Sequence, residues 1–195
     1  MKILYFHGFA SAGSSGTATH LRNMLYEYGV QVISPDIPVS PAEALPFLQQ
    51  LVKAEQPDLI IGTSMGGLYT EQMYGVPRIM VNPSFHMARH LTFQGMGRHE
   101  FLNKRQDGAK DFKVDKEMIA QFREVEKHSF SHVTNEEKQR VWGLFGKNDK
   151  FVNCQPEFKK AYGQEHFRLF DGEHHLNDIV LKREVLPLVK ELLKL

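Results

Sequence analysis

The sequence predicts a three-layer α/β fold: a mostly parallel sheet of about six strands, helices on both of its faces, and an insertion after the fourth strand. Three observations predict it. Short β-rich runs alternate with stretches of helical periodicity along most of the 195 residues, the order that yields right-handed strand–helix–strand crossovers and a parallel sheet. The strand runs are apolar throughout, as strands buried on both faces must be. One of them stops at a serine set among glycines, Gly62-Thr63-Ser64-Met65-Gly66-Gly67, where a helical pattern begins.

The elements follow in order. Lys2–Phe6 (KILYF) is a strand, and His7–Gly16 is a loop of small residues. Ala18–Tyr28 carries Leu21, Met24, Leu25 and Tyr28 at helical spacing, with Gly29 placed to stop it. Val30–Ser34 is the second strand. Ser40, Pro41 and Glu43 have the spacing of a capping box with proline in the first turn, so a helix is expected from there to about Glu55. Asp58–Thr63 is the third strand, Met65–Tyr74 the helix after it, and Arg78–Asn82 the fourth strand, closed by Pro83. From Ser84 to about Glu137 the alternation loosens. Lys116–Lys127 reads as a helix and residues 95–111 as an exposed loop, and a segment of this length between elements is expected to be a lid or cap. Alternation resumes with the strand Arg140–Phe145, a helix from about Cys154 to Tyr162 and the strand His166–Phe170. The last helix aligns Val185, Leu188, Val189, Leu192 and Leu193 on one face, with Pro187 in its first turn and a break before it.

Composition narrows the function. Twenty-four basic and 23 acidic residues leave a net charge of +1, and no long run has one sign. That balance argues against nucleic acid or an anionic membrane surface as partner. No apolar stretch approaches the roughly 18 residues of a membrane span, and the N-terminal MKILYFHGF lacks the pattern of a secretory signal. A single cysteine, Cys154, forms no internal disulfide, which fits a reducing compartment and a cytoplasmic protein.

The pattern G-x-S-x-G at residues 62–66, between a predicted strand and a predicted helix, is that of a nucleophile elbow. Side chains two residues before and after the serine would collide with neighbouring backbone, and Gly62 and Gly66 remove them. The backbone N–H of Met65, at the start of the helix, is then placed to face a developing oxyanion. A nucleophilic serine needs a base, and the base an orienting acid. Asp149 follows the strand Arg140–Phe145 in Gly146-Lys147-Asn148-Asp149, and Asp171-Gly172-Glu173-His174-His175 follows the last strand. Both lie at carboxyl ends of strands, where open α/β sheets gather functional groups. Neighbouring residues of an extended loop point to different sides, so one of the two histidines is expected to serve, His174 in preference to His175.

With these pieces in order, the chain resembles the α/β-hydrolase superfamily, and within it the small bacterial YqiA-like esterases of the UPF0227 group. The matching stretches are YFHGF at 5–9, GTSMGG at 62–67, NPS at 82–84, GKND at 146–149 and DGEHH at 171–175. The group's G-x-H-x-F ending stands here as Gly172-Glu173-His174-His175-Leu176, an alignment that favours His174. The resemblance implies an α/β-hydrolase-like fold; the expectation is one domain, residues 1–195, in which 84–137, by its length, is the lid insertion. It also implies a second oxyanion N–H from the loop after the first strand, by position that of Phe9, with Ala10 the lesser candidate. His7 is expected to shape that loop and to take no part in the chemistry.

The expected activity is that of a serine esterase using Ser64, His174 and Asp149, with oxyanion donors Met65 and Phe9, a small-molecule acyl ester as substrate and neither cofactor nor metal. A thioesterase or acyltransferase would share the same acyl-enzyme, and a non-catalytic binding module would share the scaffold. His86 and His90 stand four apart, but the glutamate of H-E-x-x-H is missing and no third ligand is near in sequence, so no metal is expected there. Phe85, Met87, Leu91, Phe93 and Met96 are candidates for an acyl pocket or for the buried side of a lid helix. Lys104, Arg105, Lys110 and Lys113, interspersed with Asp107 and Asp111, read as a solvated loop, and Cys154 as structural.

Overall fold

The computed structural model describes residues 1–195, the side chain of Gln94 excepted. Six strands form one sheet: β1 (Lys2–Phe6), β2 (Gln31–Ile33), β3 (Leu59–Thr63), β4 (Arg78–Val81), β7 (Val141–Gly146) and β8 (Phe167–Phe170). Their order is β2-β1-β3-β4-β7-β8, and every neighbouring pair is parallel. Alternate residues of β1 show why its apolar run is unbroken. Ile3 and Tyr5 pack with α1 (Gly16–Tyr26) and the C-terminal helix, while Leu4 and Phe6 face α2 (Pro41–Glu55) and α3 (Met65–Glu71). Both faces are dry, so both sets must be apolar.

The chain leaves β1 towards β2 and returns on the other side of β1 to make β3. The helices after β1 and β3 therefore lie on opposite faces, and a crevice opens between the carboxyl ends of these two strands. Ser64 follows β3 directly, and His7-Gly8-Phe9 follow β1.

The segment between β4 and β7 contains α4 (Met87–Gln94), a two-stranded antiparallel sheet of β5 (Gly97–Glu100) and β6 (Asp111–Val114), then α5 (Lys116–Lys127) and α6 (Asn135–Lys138). The β5–β6 pair corrects the expectation of a plain loop over 95–111. Its strands are short and half polar because only one face is covered: Phe112 and Val114 are buried, and Arg98 reaches across to Asp111 at 2.6 Å. Arg105 also departs from the solvated reading. It is 5% exposed, donates to the Ile37 carbonyl at 3.1 Å and lies over the Phe101 ring. Asp115 caps α5 through Met118 N–H at 3.0 Å, and Met118, Ile119, Phe122 and Val125 turn inward at helical spacing. These four belong to the same core as β1 and β3, so the insertion and the sheet share one hydrophobic interior.

Three further expectations are revised. α1 begins at Gly16 because Ser15 caps it, accepting from Ala18 N–H at 3.3 Å. Ser40 makes no side-chain cap for α2; its hydroxyl donates to Gln121 on α5 at 2.9 Å, a tertiary partner replacing the local one. No break precedes Pro187. After α7 (Gln155–Tyr162) and β8, α8 (Asp178–Val180) runs through a π turn, Leu181–Val185, into α9 (Leu186–Leu193), and Leu186 N–H reaches back five residues to Leu181 O. The wider turn absorbs a proline that offers no N–H, and the helix continues.

Candidate active site

Ser64 sits on a tight turn with φ 52° and ψ −118°, in the region that L-residues rarely occupy. Its main chain is fully engaged: its N–H donates to Val81 O at 3.1 Å, and its carbonyl accepts from Ser84 N–H at 3.0 Å and Gly67 N–H at 2.9 Å. The flanking glycines are explained by contact. A Cβ on Gly66 would overlap the Phe6 carbonyl, and one on Gly62 would overlap Thr70 Oγ1 and the Gly66 carbonyl. The turn closes only when both are glycine.

The groups expected to meet Ser64 do converge on it. His174 Nε2 lies 2.9 Å from Ser64 Oγ, and His174 Nδ1 lies 2.7 Å from Asp149 Oδ2. Asp149 Oδ1 accepts the N–H groups of Phe151 at 2.8 Å and Val152 at 2.9 Å. Burial of this carboxyl works to raise its pKa. The bonds from His174 and the two N–H groups outweigh burial and hold it below the usual carboxylate range. It is therefore ionised at neutral pH and fixes the proton on His174 Nδ1. His175 is exposed, edge-on to His174 at 5.4 Å between ring centroids, and does not bond Ser64. The order serine, acid, histidine follows the carboxyl ends of three strands of the sheet, β3, β7 and β8.

The loop after β1 reaches the same point. A Cβ on Gly8 would lie 3.5 Å from Ser64 Cβ, so the Gly8–Phe9 peptide runs beside the serine. Among the described residues neither Phe9 N–H nor Met65 N–H donates to a protein acceptor. His7 is buried behind the loop, where Nε2 accepts Ile37 N–H at 3.2 Å and Nδ1 donates to Gly8 O at 2.9 Å. Burial first, with Arg105 adding to it, pushes the His7 pKa down to about 4. Its imidazole is neutral at pH 7.

A cleft of about 480 Å³ opens over Ser64 and His174, with Phe9, Met87, Leu102 and Phe151 on its apolar side. A larger hollow of about 930 Å³ lies between α2, α5 and residues 105–107, away from the serine. Of the apolar residues expected near the site, Met87 lines the cleft, Phe85 and Leu91 are core, and Phe93 and Met96 are exposed. His90 and His86 do not act as a pair. His90 Nδ1 is 3.0 Å from Ser84 Oγ, whereas His86 Nε2 bonds Glu157 at 2.8 Å. Cys154 lies close to His86 and Glu157, and burial, with the nearby Glu157, Asp149 and Glu126, pushes its thiol up to about 12.

Two residues beside the serine escaped the sequence reading. Asn82 is 2% exposed, with its amide bonded to the loops of both Asp149 and His174. Ser84 bonds the Ser64 carbonyl through its N–H and His90 through its hydroxyl. The only local signal was the Asn-Pro-Ser stretch at a strand end, and chain punctuation explained it equally well.

Comparison with solved structures shows that the fold is a known one. Est1E from Butyrivibrio proteoclasticus superposes with a TM-score of 0.71 at 17% identity, over 100% of this chain and 88% of that one. The α/β hydrolase domain-containing protein 10 of mouse gives 0.69 at 13% identity, over 99% and 89%. A soluble variant of monoglyceride lipase from Saccharomyces cerevisiae gives 0.67 at 15% identity, over 99% and 86%. At such identities the likeness concerns the fold, which is that of the α/β hydrolases. Residues 2–190 match the uncharacterised protein family UPF0227, and the chain belongs to that family.

Proposed function

We propose that this chain is a serine hydrolase that cleaves the carboxylic ester of a small or medium acyl group through an acyl-enzyme. The observation that carries the reading is the relay from Asp149 through His174 to Ser64, at 2.7 and 2.9 Å, at the floor of an open cleft. In the first half-reaction Ser64 Oγ attacks the ester carbonyl carbon and its proton passes to His174 Nε2. The imidazolium is stabilised by Asp149, which remains a carboxylate. The carbonyl oxygen becomes an oxyanion and accepts the N–H groups of Met65 and Phe9; a donor of this kind is typically worth about 3 kcal/mol in the transition state. His174 then returns the proton to the departing alkoxide. Water repeats the sequence on the acyl-enzyme, releasing the acid and restoring Ser64.

Residues 84–137 serve in this reading as the cap over the acyl end of the cleft, supported by Met87, His90 and Leu102 on its walls and by Leu102 N–H on Ala10 O at 2.7 Å. The enzyme is read as cytoplasmic, which accords with its one buried thiol; no helix among the described residues is long and apolar enough to cross a membrane. The test is labelling with a fluorophosphonate probe, which needs an activated serine. Wild type should label, Ser64→Ala should not, and His174→Ala should lose most of its rate while His175→Ala keeps it. Folded wild-type protein that neither labels nor hydrolyses activated esters of any chain length would sink the proposal.

A further inference from the structure

We propose that Asn82 is the positioning residue of the site: from the end of β4 it sets the backbone of His174 and the loop of Asp149 so that one imidazole can bridge acid and serine. This rests on the esterase reading for its kinetic consequence, though not for its geometry.

The case begins with the side-chain amide, which has one acceptor and two donor hydrogens and uses all of them. Oδ1 accepts Gly146 N–H at 2.7 Å, at the end of β7, three residues before Asp149. Nδ2 donates to the carbonyls of Glu173 at 2.9 Å and of His174 itself at 3.1 Å. Asn82 N–H is also bound, to Leu144 O at 2.9 Å. One buried residue thus pins β4, the β7 loop and the histidine loop together, beside the strand that carries the elbow.

Its backbone agrees. Asn82 has φ 45°, in the left-handed region where asparagine is among the side chains that fit most readily. That turn lets a residue at the tip of a strand aim its side chain across the sheet edge. The loops it ties already lie against each other: Asn148 N–H donates to Gly172 O at 3.0 Å, and a Cβ on Gly146 would stand 2.6 Å from Gly172 O. The two loops therefore form one unit, and Asn82 sets its height above Ser64. Without both Nδ2 donors nothing else among the described bonds holds the carbonyls of Glu173 and His174 to β4.

Two substitutions separate this role from general support. Asn82→Asp keeps the shape and the bond to Gly146 N–H but turns an acceptor towards two carbonyls. Asn82→Gly suits the positive φ and removes the amide. Both folded variants, checked by circular dichroism, should lose about 10²-fold in kcat with KM nearly unchanged, the usual cost of a 1 Å misplacement. Placed on a His174→Ala background, neither should lower the residual rate further, because a positioning residue has nothing left to position. The downfield proton resonance of His174 Nδ1–H on Asp149 should broaden or vanish in both. The same loss on both backgrounds, or an intact resonance with unchanged kcat, would overturn the assignment. A wild type with the resonance but no hydrolysis would reject the esterase reading alone, and the resonance in the variants would still decide the part played by Asn82.

Discussion

Acidification should expose the burial of His7 behind the loop that follows β1. In the folded chain its pKa is held down to about 4; in the unfolded chain it returns to the ordinary imidazole value of about 6.5. Above pH 6.5 the ring is neutral in both states and adds nothing to pH dependence. Between 6.5 and 4 the unfolded state binds a proton that the folded state refuses, so stability falls as pH falls and levels off below 4. A difference of about 2.5 units at 1.36 kcal/mol each amounts to about 3 kcal/mol. The cause is burial first, with the charge of Arg105 adding to it; the Gly8 carbonyl and Asp36 offset only part, and a protonated Nε2 would also face Ile37 N–H, donor against donor. Carboxylates also titrate in this range, so the assay compares wild type with His7→Gln by urea unfolding at pH 7, 6, 5 and 4. The wild type should be the more stable at pH 7 and lose about 3 kcal/mol of that advantage by pH 4. Two curves that stay parallel would show that His7 titrates alike in both states, and the account of the buried loop would be wrong.

Two other outcomes follow from the site. Asp149→Asn should leave the fold intact, since Asn can still accept from Phe151 and Val152 N–H, but it removes the charge that selects the His174 tautomer; kcat should fall about 10⁴-fold, read by ester hydrolysis at saturating substrate. Gly66→Ala puts a methyl group onto the Phe6 carbonyl, and the elbow must shift to admit it. A loss of about 1–3 kcal/mol in unfolding free energy, with slower fluorophosphonate labelling, is expected; unchanged labelling would mean that the turn is looser than its contacts indicate.

How much of this was legible in the chain can be judged residue by residue. The six strands were visible because strands buried on both faces must be apolar without alternation, and Ile60, Ile61, Val81 and Leu144 need no tertiary knowledge to be recognised. The elbow was visible because a serine set among glycines between an apolar strand and a helix is a local pattern; Gly62 is required by Thr70 and Gly66 a few residues on, whereas Gly66 is required by Phe6 of the neighbouring strand. Asp149 and the two histidines were visible as strand-end residues. The Gly-x-His-x ending at residues 172–175 favoured His174 over His175, and His174 is the one within 2.9 Å of Ser64.

What lay beyond the sequence was most of the contacts between distant segments outside the serine, histidine and aspartate. Ser40 carries the spacing of a cap, yet Gln121, 81 positions away, takes its hydroxyl. Arg105 looks solvated until Ile37 and Phe101 close around it. Residues 97–100 and 111–114 are too polar to announce a hairpin, and become one because a single face is covered. Asn82 looks like a strand stop, and only the folded chain brings residues 146, 173 and 174 to its amide. The sequence by itself determined the periodicities, the two-sided strands and the glycine-flanked serine between strand and helix, because those depend on bond geometry and near neighbours. The tertiary structure alone decided what braces His174 from β4, because the bonds of the Asn82 amide join segments 64 and more residues apart in the chain.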